Sequence, residues 1–333
     1  MTRPRPRAAT AAPTALLAGA ALAAACATAP RAAVAPPAFA DSLPAHGEPA
    51  RVFAPGVVST GDVFASAFTP DLRTVVTSKV SPAGPARGIA LVAYAWRDGR
   101  WQGPDTLPFS GTEPRRDLDP AFSPDGRRLY FSSNRPTGPA WSDTVTRTDT
   151  WYADRIDGSR WGAPVRVEGE VNSPAVDMYP SVARDGTLYF DSFREPPRRQ
   201  AYRARRSPTG GWLAPERLEF PINGDSGASN LFVDPDERYA VFIGGVRAGG
   251  ERGYGAADLH ISFRTASGWT PARNLGPLVN SDATEFCPYV TPDGRWLFFT
   301  RVVQPPGAPA TAATRNVYVV RFDRLRDSLS RGP

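Results

Sequence analysis

Histidine, cysteine, methionine and lysine are nearly absent from this chain of 333 residues, which holds two of each of the first three and only Lys79 of the fourth. Each shortage excludes a class of chemistry. His46 lies in an Ala/Pro-rich stretch and His260 stands alone in the rest, so a Ser-His-Asp triad has no histidine to use. Cys26 and Cys287 cannot make a disulfide framework, and no Cys/His spacing resembles a zinc site. No glycine-rich loop stands between a strand and a helix in the form that cradles a nucleotide. No catalytic residue, metal or cofactor is therefore expected. The net charge of +6 includes Arg3, Arg5 and Arg7, so the rest of the chain carries 6 − 3 = +3. No basic stripe interleaved with aromatics appears, and nucleic acid is not an expected partner. Outside the first thirty residues no long apolar run occurs, and the one inside them is too short for a stable membrane span.

What is present favours strands and turns. Gly 30 and Pro 36 together make about a fifth of the chain, while eight Trp and 17 Phe can fill a large core. The start, "MTRPRPRAATAAPTALLAGAALAAACA", runs from basic residues through an apolar stretch to small residues before Cys26, the layout of a secretory leader. Leu22-Ala23-Ala24-Ala25-Cys26 resembles the bacterial lipobox, which implies a lipid on Cys26 and membrane attachment through that anchor only. Ala27 after the cysteine implies delivery to the outer membrane, facing the periplasm. An ordinary leader cleaved after Ala38-Phe39-Ala40 is the alternative. The expected organisation is a leader at 1–26, a tether at 27–48, a folded domain at 49–325 and a tail at 326–333.

The folded part is a repeat. "AFSPDGRRLYFSSNR", residues 121–135, reads as two strands around an Asp-Gly turn, and its turn recurs at Asp71, Asp125, Asp185, Asp236 and Asp293, spaced 54, 60, 51 and 57 apart. Trp101, Trp161, Trp212 and Trp269 follow at spacings of 60, 51 and 57, the same series moved on by one copy. Each unit holds four alternating apolar–polar runs, which predicts an all-β fold: a five-bladed β-propeller of four-stranded antiparallel blades. The last copy lacks its tryptophan strand, and Pro49-Ala50-Arg51-Val52 matches the outer strands of other copies. The N-terminal strand is therefore expected to close the ring.

"SPDGRRLYFSSNR", "TPDGRWLFFTR" and "AADLHISFRTASGWTPARNLGPLVNSD" resemble the TolB-like, WD-repeat-like propellers of the bacterial envelope over about residues 50–325. Copies one and four depart from the pattern, with Leu72 and Glu237 where glycine is usual. The resemblance implies a binding or scaffold role toward an envelope protein or a cell-wall component. A second reading is a glycoside hydrolase-like enzyme using carboxylates at the central pocket.

Candidate residues follow from position. Asp62, Asp117, Asp119, Asp177 and Glu285 stand near the starts of first strands, and Lys79, Arg135, Arg194, Arg247 and Arg301 follow second strands. Hairpin geometry places both sets on the face opposite the Asp-Gly turns, where the longer connections also emerge. Asp117, Asp119, Asp177, Glu285, Arg135, Arg194 and Arg301 are the expected binding residues, read as exposed ion pairs between blades or as a polar rim for a partner. The Asp-Gly turns and the recurrent tryptophans are read as structural. His260 is read as filling the slot held by Trp151, Tyr202 and Tyr318, and Cys287 as buried and inert.

Overall fold

Alternating side chains and tight turns build five antiparallel sheets arranged around one axis. The computed structural model describes Met1 and residues 39–331, apart from 82–87, 112–114, 137–146, 159, 226 and 245–252. The chain divides into Met1–Val34 and Ala35–Pro333, and the propeller is the second unit. Cys26 and the leader lie outside the described residues.

Strand β1 (Arg51–Val52) precedes blade one, which is β2 (Val63–Phe68), β3 (Thr74–Val80), β4 (Ile89–Arg97) and β5 (Arg100–Thr106). Blade two is β6 (Asp117–Phe122), β7 (Arg128–Ser133) and β8 (Asp149–Asp157), with the outer strand in two pieces, β9 (Arg160–Trp161) and β10 (Val165–Arg166). Blade three is β11 (Asp177–Val182), β12 (Leu188–Ser192), β13 (Gln200–Ala204) and β14 (Glu216–Arg217). Blade four is β15 (Ala228–Val233), β16 (Tyr239–Gly244) and β17 (Leu259–Thr265), again with a divided outer strand, β18 (Gly268–Trp269) and β19 (Arg273–Asn274). Blade five is β20 (Thr284–Val290), β21 (Trp296–Val303) and β22 (Thr314–Arg321), and its outer strand is β1, paired through Arg51 with Val319 and Val52 with Tyr318. No helix among the described residues is long and apolar enough to cross a membrane.

The Asp-Gly turns repeat one chemistry. Ser123 Oγ donates to Asp125 Oδ1 at 2.6 Å, and the Arg127 amide donates to the same oxygen at 3.1 Å. Thr69 with Asp71 and Thr291 with Asp293 do the same. Gly126, Gly186 and Gly294 take the left-handed φ the turn requires, at +72°, +87° and +70°. Leu72 and Glu237 hold that conformation without glycine, at +58° and +54°.

Neighbouring sheets share five apolar cores. Phe53, Phe68, Trp101 and Phe298 fill the one between blades five and one, and Leu91, Leu129 and Phe131 the next. Trp101 is buried in the core shared with the preceding blade, and Trp161, Trp212 and Trp269 pack against the corresponding cores of their own blades. Among the described residues the core between blades four and five has no such tryptophan; Leu325 and Leu329 pack there instead. They belong to helix α1 (Asp323–Ser330), so most of the expected tail is a packed helix. Likewise the expected tether is fastened before its end, because Phe39 is 2 % exposed and lies 4.9 Å from Trp101, centroid to centroid.

Loops passing from blade to blade are clamped alike. Asn172 accepts the Thr150 amide and donates to the Thr150 and Val167 carbonyls. Asn223 and Asn280 grip Ala201 and Leu259, and Ser59 and Ser110 grip Val317 and Leu91. Each clamp ties one loop to the third strand of the blade just finished.

Candidate functional site

Three of the expected acids occupy one repeated position. Asp117 on β6, Asp177 on β11 and Glu285 on β20 each lie two residues before a left-handed residue of the same strand. Asp117 accepts from Ser110 Oγ at 2.8 Å, Ser133 Oγ at 2.7 Å and Arg135 Nη2 at 2.8 Å. Asp177 accepts from Ser173 Oγ at 2.8 Å and Arg194 Nη2 at 2.9 Å, and Glu285 from Ser281 Oγ at 2.6 Å and Arg301 Nε at 2.7 Å. The same arginines donate to the carbonyls of Phe109, Val171 and Val279, each the residue just before a clamp. Their guanidinium carbons lie over aromatic rings of their own blades: Arg135 over Phe131, Arg194 over Tyr202, Arg301 over Tyr318.

These pairs are buried and each lies within one blade, which corrects the expectation of exposed pairs between blades. The three acids are 0 % exposed, and the side chains of Arg135, Arg194 and Arg301 only 9 %, 18 % and 15 %. The cause is the planar arginine fork, which serves a carboxylate and a carbonyl at once while it lies over an aromatic ring. Lys79 and Asp62 pair at 2.7 Å but remain partly exposed, and blade four has Ala228 at the acid position. Arg247 lies outside the described residues.

Asp119 does not belong to this set. It is one of five left-handed residues, Ala65, Asp119, Tyr179, Asn230 and Cys287, found once per innermost strand at φ between +49° and +56°. Each sits at a bulge where the pairing of first and second strands slips. Such a conformation costs a non-glycine residue roughly 1–2 kcal/mol, and its clustering at one axis marks a place to look for function. The amides of these residues are held by the preceding blade. Ala65 donates to Thr300 Oγ1, Asp119 to Ser78 Oγ, Tyr179 to Ser132 Oγ and Asn230 to Asp191 Oδ2.

An axial cavity of about 90 Å³ stands on this ring and opens toward the Asp-Gly turns. Phe68, Phe122, Phe232 and Tyr289 wall it, and Pro70, Pro124, Pro235 and Pro292 form its rim. Asp119, Tyr179, Asn230 and Cys287 lie at its floor. On the loop side of the floor, Phe64, Leu118 and Met178 pack together with Phe286 and close the axis. Burial pushes the Asp119 carboxyl up to about 7, against the pull of Ser132 and of Arg199 and Arg116. Burial likewise pushes Asp191 up to about 8, opposed by Arg199. The Tyr179 hydroxyl and the Cys287 thiol are raised well above their usual values by burial. Cys287 donates to Asn230 Oδ1 at 3.3 Å and is only 6 % exposed, a thiol kept in its unreactive form. His260 pairs with Phe242 in the register in which Tyr202 pairs with Phe190. No group of three or more His, Cys, Asp or Glu among the described residues is placed to hold a metal.

Neither a protein-family model nor a curated protein matches the chain. Among solved structures it is similar to TolB from Acinetobacter baumannii, at 17 % identity and TM-score 0.44, over 78 % of this chain and 55 % of that one. It is similar to the α-L-arabinanase of Penicillium chrysogenum solved with arabinobiose, at 15 % identity and TM-score 0.45, over 84 % and 77 % of the two chains. It is also similar to the Trypanosoma rangeli sialidase solved with sialic acid, at 12 % identity and TM-score 0.44, over 87 % and 59 %. The chain thus spans about half the length of the TolB chain. The choice between binding and catalysis falls to the site itself.

Proposed function

We propose that this chain is a non-enzymatic binding propeller of the bacterial envelope, exported by its leader and held at the outer membrane through Cys26. Its partner is an envelope protein or a cell-wall component. The observation that carries this reading is how the acids are used. Glycoside hydrolysis needs one protonated and one ionised carboxyl about 5–10 Å apart across an open pocket. At the loop end, Asp117, Asp177 and Glu285 are each enclosed with an arginine. At the axis, Asp119 is the only carboxylic acid among the described residues that line the cavity, and Asp191 is 0 % exposed and does not line it, so no second carboxyl faces Asp119 across an open pocket. Phe39 supports processing at Cys26 rather than after Ala40, because the later cut would remove a ring that is 2 % exposed in the core.

Asp117, Asp177 and Glu285 are each enclosed with an arginine, so we place the partner contact at the axial cavity on the turn end. A photo-crosslinking residue at Pro124 or Pro292, on the cavity rim, is expected to capture envelope material, and one at Gln304 on the loop end is not. Capture from Gln304 alone overturns the placement. Release of sugars from arabinan or xylan, lost in Asp119→Asn, overturns the binding reading in favour of an enzyme.

A further inference from the structure

Two buried acceptors at the axial cavity have no donor. Ser66 Oγ on blade one and Asp119 Oδ1 on blade two belong to residues 5 % and 3 % exposed, both lining the cavity, and neither atom has a hydrogen-bond partner. The other Asp119 oxygen accepts from Ser132 Oγ at 3.1 Å. An acceptor buried without a donor costs roughly 1–3 kcal/mol, a cost that a ligand bringing N–H groups removes. Carboxyl torsions are broad, so Oδ1 can turn toward the cavity with little strain.

The rest of the lining narrows the ligand. Four aromatic rings, Phe68, Phe122, Phe232 and Tyr289, line the cavity, and an aromatic face favours a cation over an anion. The proline rim accepts hydrocarbon. About 90 Å³ is smaller than the ~150 Å³ cavity that admits benzene, so the guest is slender. The chain's own lysine does not supply it, because Lys79 is held by Asp62 at 2.7 Å.

We infer that the axial cavity receives a primary ammonium on a short alkyl chain, the form of a lysine side chain, with Asp119 as its counter-ion and Ser66 as second acceptor. This rests on the placement of the partner contact at the turn end. The guest needs Asp119 ionised, so protons compete with it. Asp191, Tyr179, Cys287, Arg199 and Arg116 are the other titratable or charged groups that act on Asp119. With the carboxyl raised to about 7 by burial, affinity rises with pH up to that value and levels off above it.

Isothermal titration of the full chain with n-butylammonium, n-butanol and butyrate tests this. The ammonium is expected to bind at least tenfold tighter than the alcohol, and butyrate not at all. Binding weakens about tenfold from pH 8 to pH 6, the change expected when a carboxyl titrating near 7 must be ionised. Asp119→Asn loses at least tenfold while its melting temperature is not lowered, and Ser66→Ala loses less. Equal binding of ammonium and alcohol, or unchanged affinity in a folded Asp119→Asn, overturns the site. A blocked lysine tripeptide separates the sources: if it binds, a partner protein supplies the ammonium, and if only the free amine binds, a small metabolite does; both uphold the site. Crosslinking that fails at Pro124 while n-butylammonium binds overturns the partner placement alone. Crosslinking that succeeds while n-butylammonium fails overturns the ammonium site alone.

Discussion

Replacing Arg135 with alanine separates a structural cage from a binding rim. Asp117 is 0 % exposed and would keep its bonds from Ser110 and Ser133 but lose both arginine donors, and the Phe109 carbonyl would lose its donor at the same time. Removing one partner of a buried ion pair costs about 3–5 kcal/mol, and the surviving serine bonds put this case near 3 kcal/mol. In a domain of this size each kcal/mol lowers the melting temperature by about 2–4 °C, so the expected drop is about 6–12 °C. Arg205→Ala is the matched control. Arg205 pairs with Glu216, their side chains are 45 % and 47 % exposed, and such a pair contributes about 0–1 kcal/mol. Differential scanning calorimetry of both variants decides. If Arg135→Ala melts as high as Arg205→Ala, the cage holds nothing together and its charges are free for a partner at the loop end.

Three further outcomes follow from the same contacts. Phe53 is 3 % exposed, with its ring 5.0 Å from Phe298 and 5.5 Å from Trp101, so Phe53→Ala is expected to cost about 3–5 kcal/mol in urea unfolding; a truncation of residues 1–55 with an unchanged melting temperature would refute the expectation that the N-terminal strand closes the ring. Asn172→Ala leaves the Thr150 amide and two buried carbonyls without their partner and is expected to cost roughly 1–3 kcal/mol, whereas a neutral result would mean that water replaces the clamp. Asp119 is raised to about 7 in the folded chain, so folding binds its proton more tightly: that contribution to stability is full below the usual carboxylate range and is lost as pH climbs to about 7. Asp119→Asn should therefore flatten the decline and melt above the parent at pH 8 but near it at pH 4, and parallel curves for the two proteins would refute the shift.

The fold was legible because its punctuation repeats as residue identity. Asp71, Asp125, Asp185 and Asp293 recur because the turn needs an acceptor at that point, a task that Asp234 takes in blade four, and the tryptophans recur because each must fill a core of the same shape. The left-handed ring at 65, 119, 179, 230 and 287 keeps the same spacings, 54, 60, 51 and 57, six residues before each aspartate. It was invisible because its five residues are Ala, Asp, Tyr, Asn and Cys, which share a backbone conformation and no side chain. The loop-end acids and arginines were visible, but their burial was not. Burial depends on Phe109, Val171 and Val279, whose carbonyls carry no mark in the sequence. For the same reason Asp119 was grouped with Asp117, although only two residues of bulged strand separate a cage from a cavity floor.

What recurs in this ring is the role of each contact rather than the residue that fills it. The amide of each left-handed residue must be received by the second strand of the blade before it, and Thr300, Ser78, Ser132 and Asp191 serve four blades. At the fourth second strand the equivalent residue is Ile243, paired with Ser229 as Ser132 is with Leu118, and it has no polar side-chain atom. Asn230 fills the gap from its own left-handed position, accepting the Cys287 amide at 3.0 Å while its own amide goes to Asp191. Asparagine tolerates the left-handed region better than the tyrosine or cysteine at equivalent positions, so the residue asked to do two tasks is less strained than those two. In the same way, Leu325 and Leu329 of α1 take the place of a fifth tryptophan. Both substitutions fall at the seam between blades four and five, where the repeat supplies fewest of its own residues. That seam borders the floor of the cavity, so a guest bound there rests partly on Asn230, the residue through which the two blades meet at the axis.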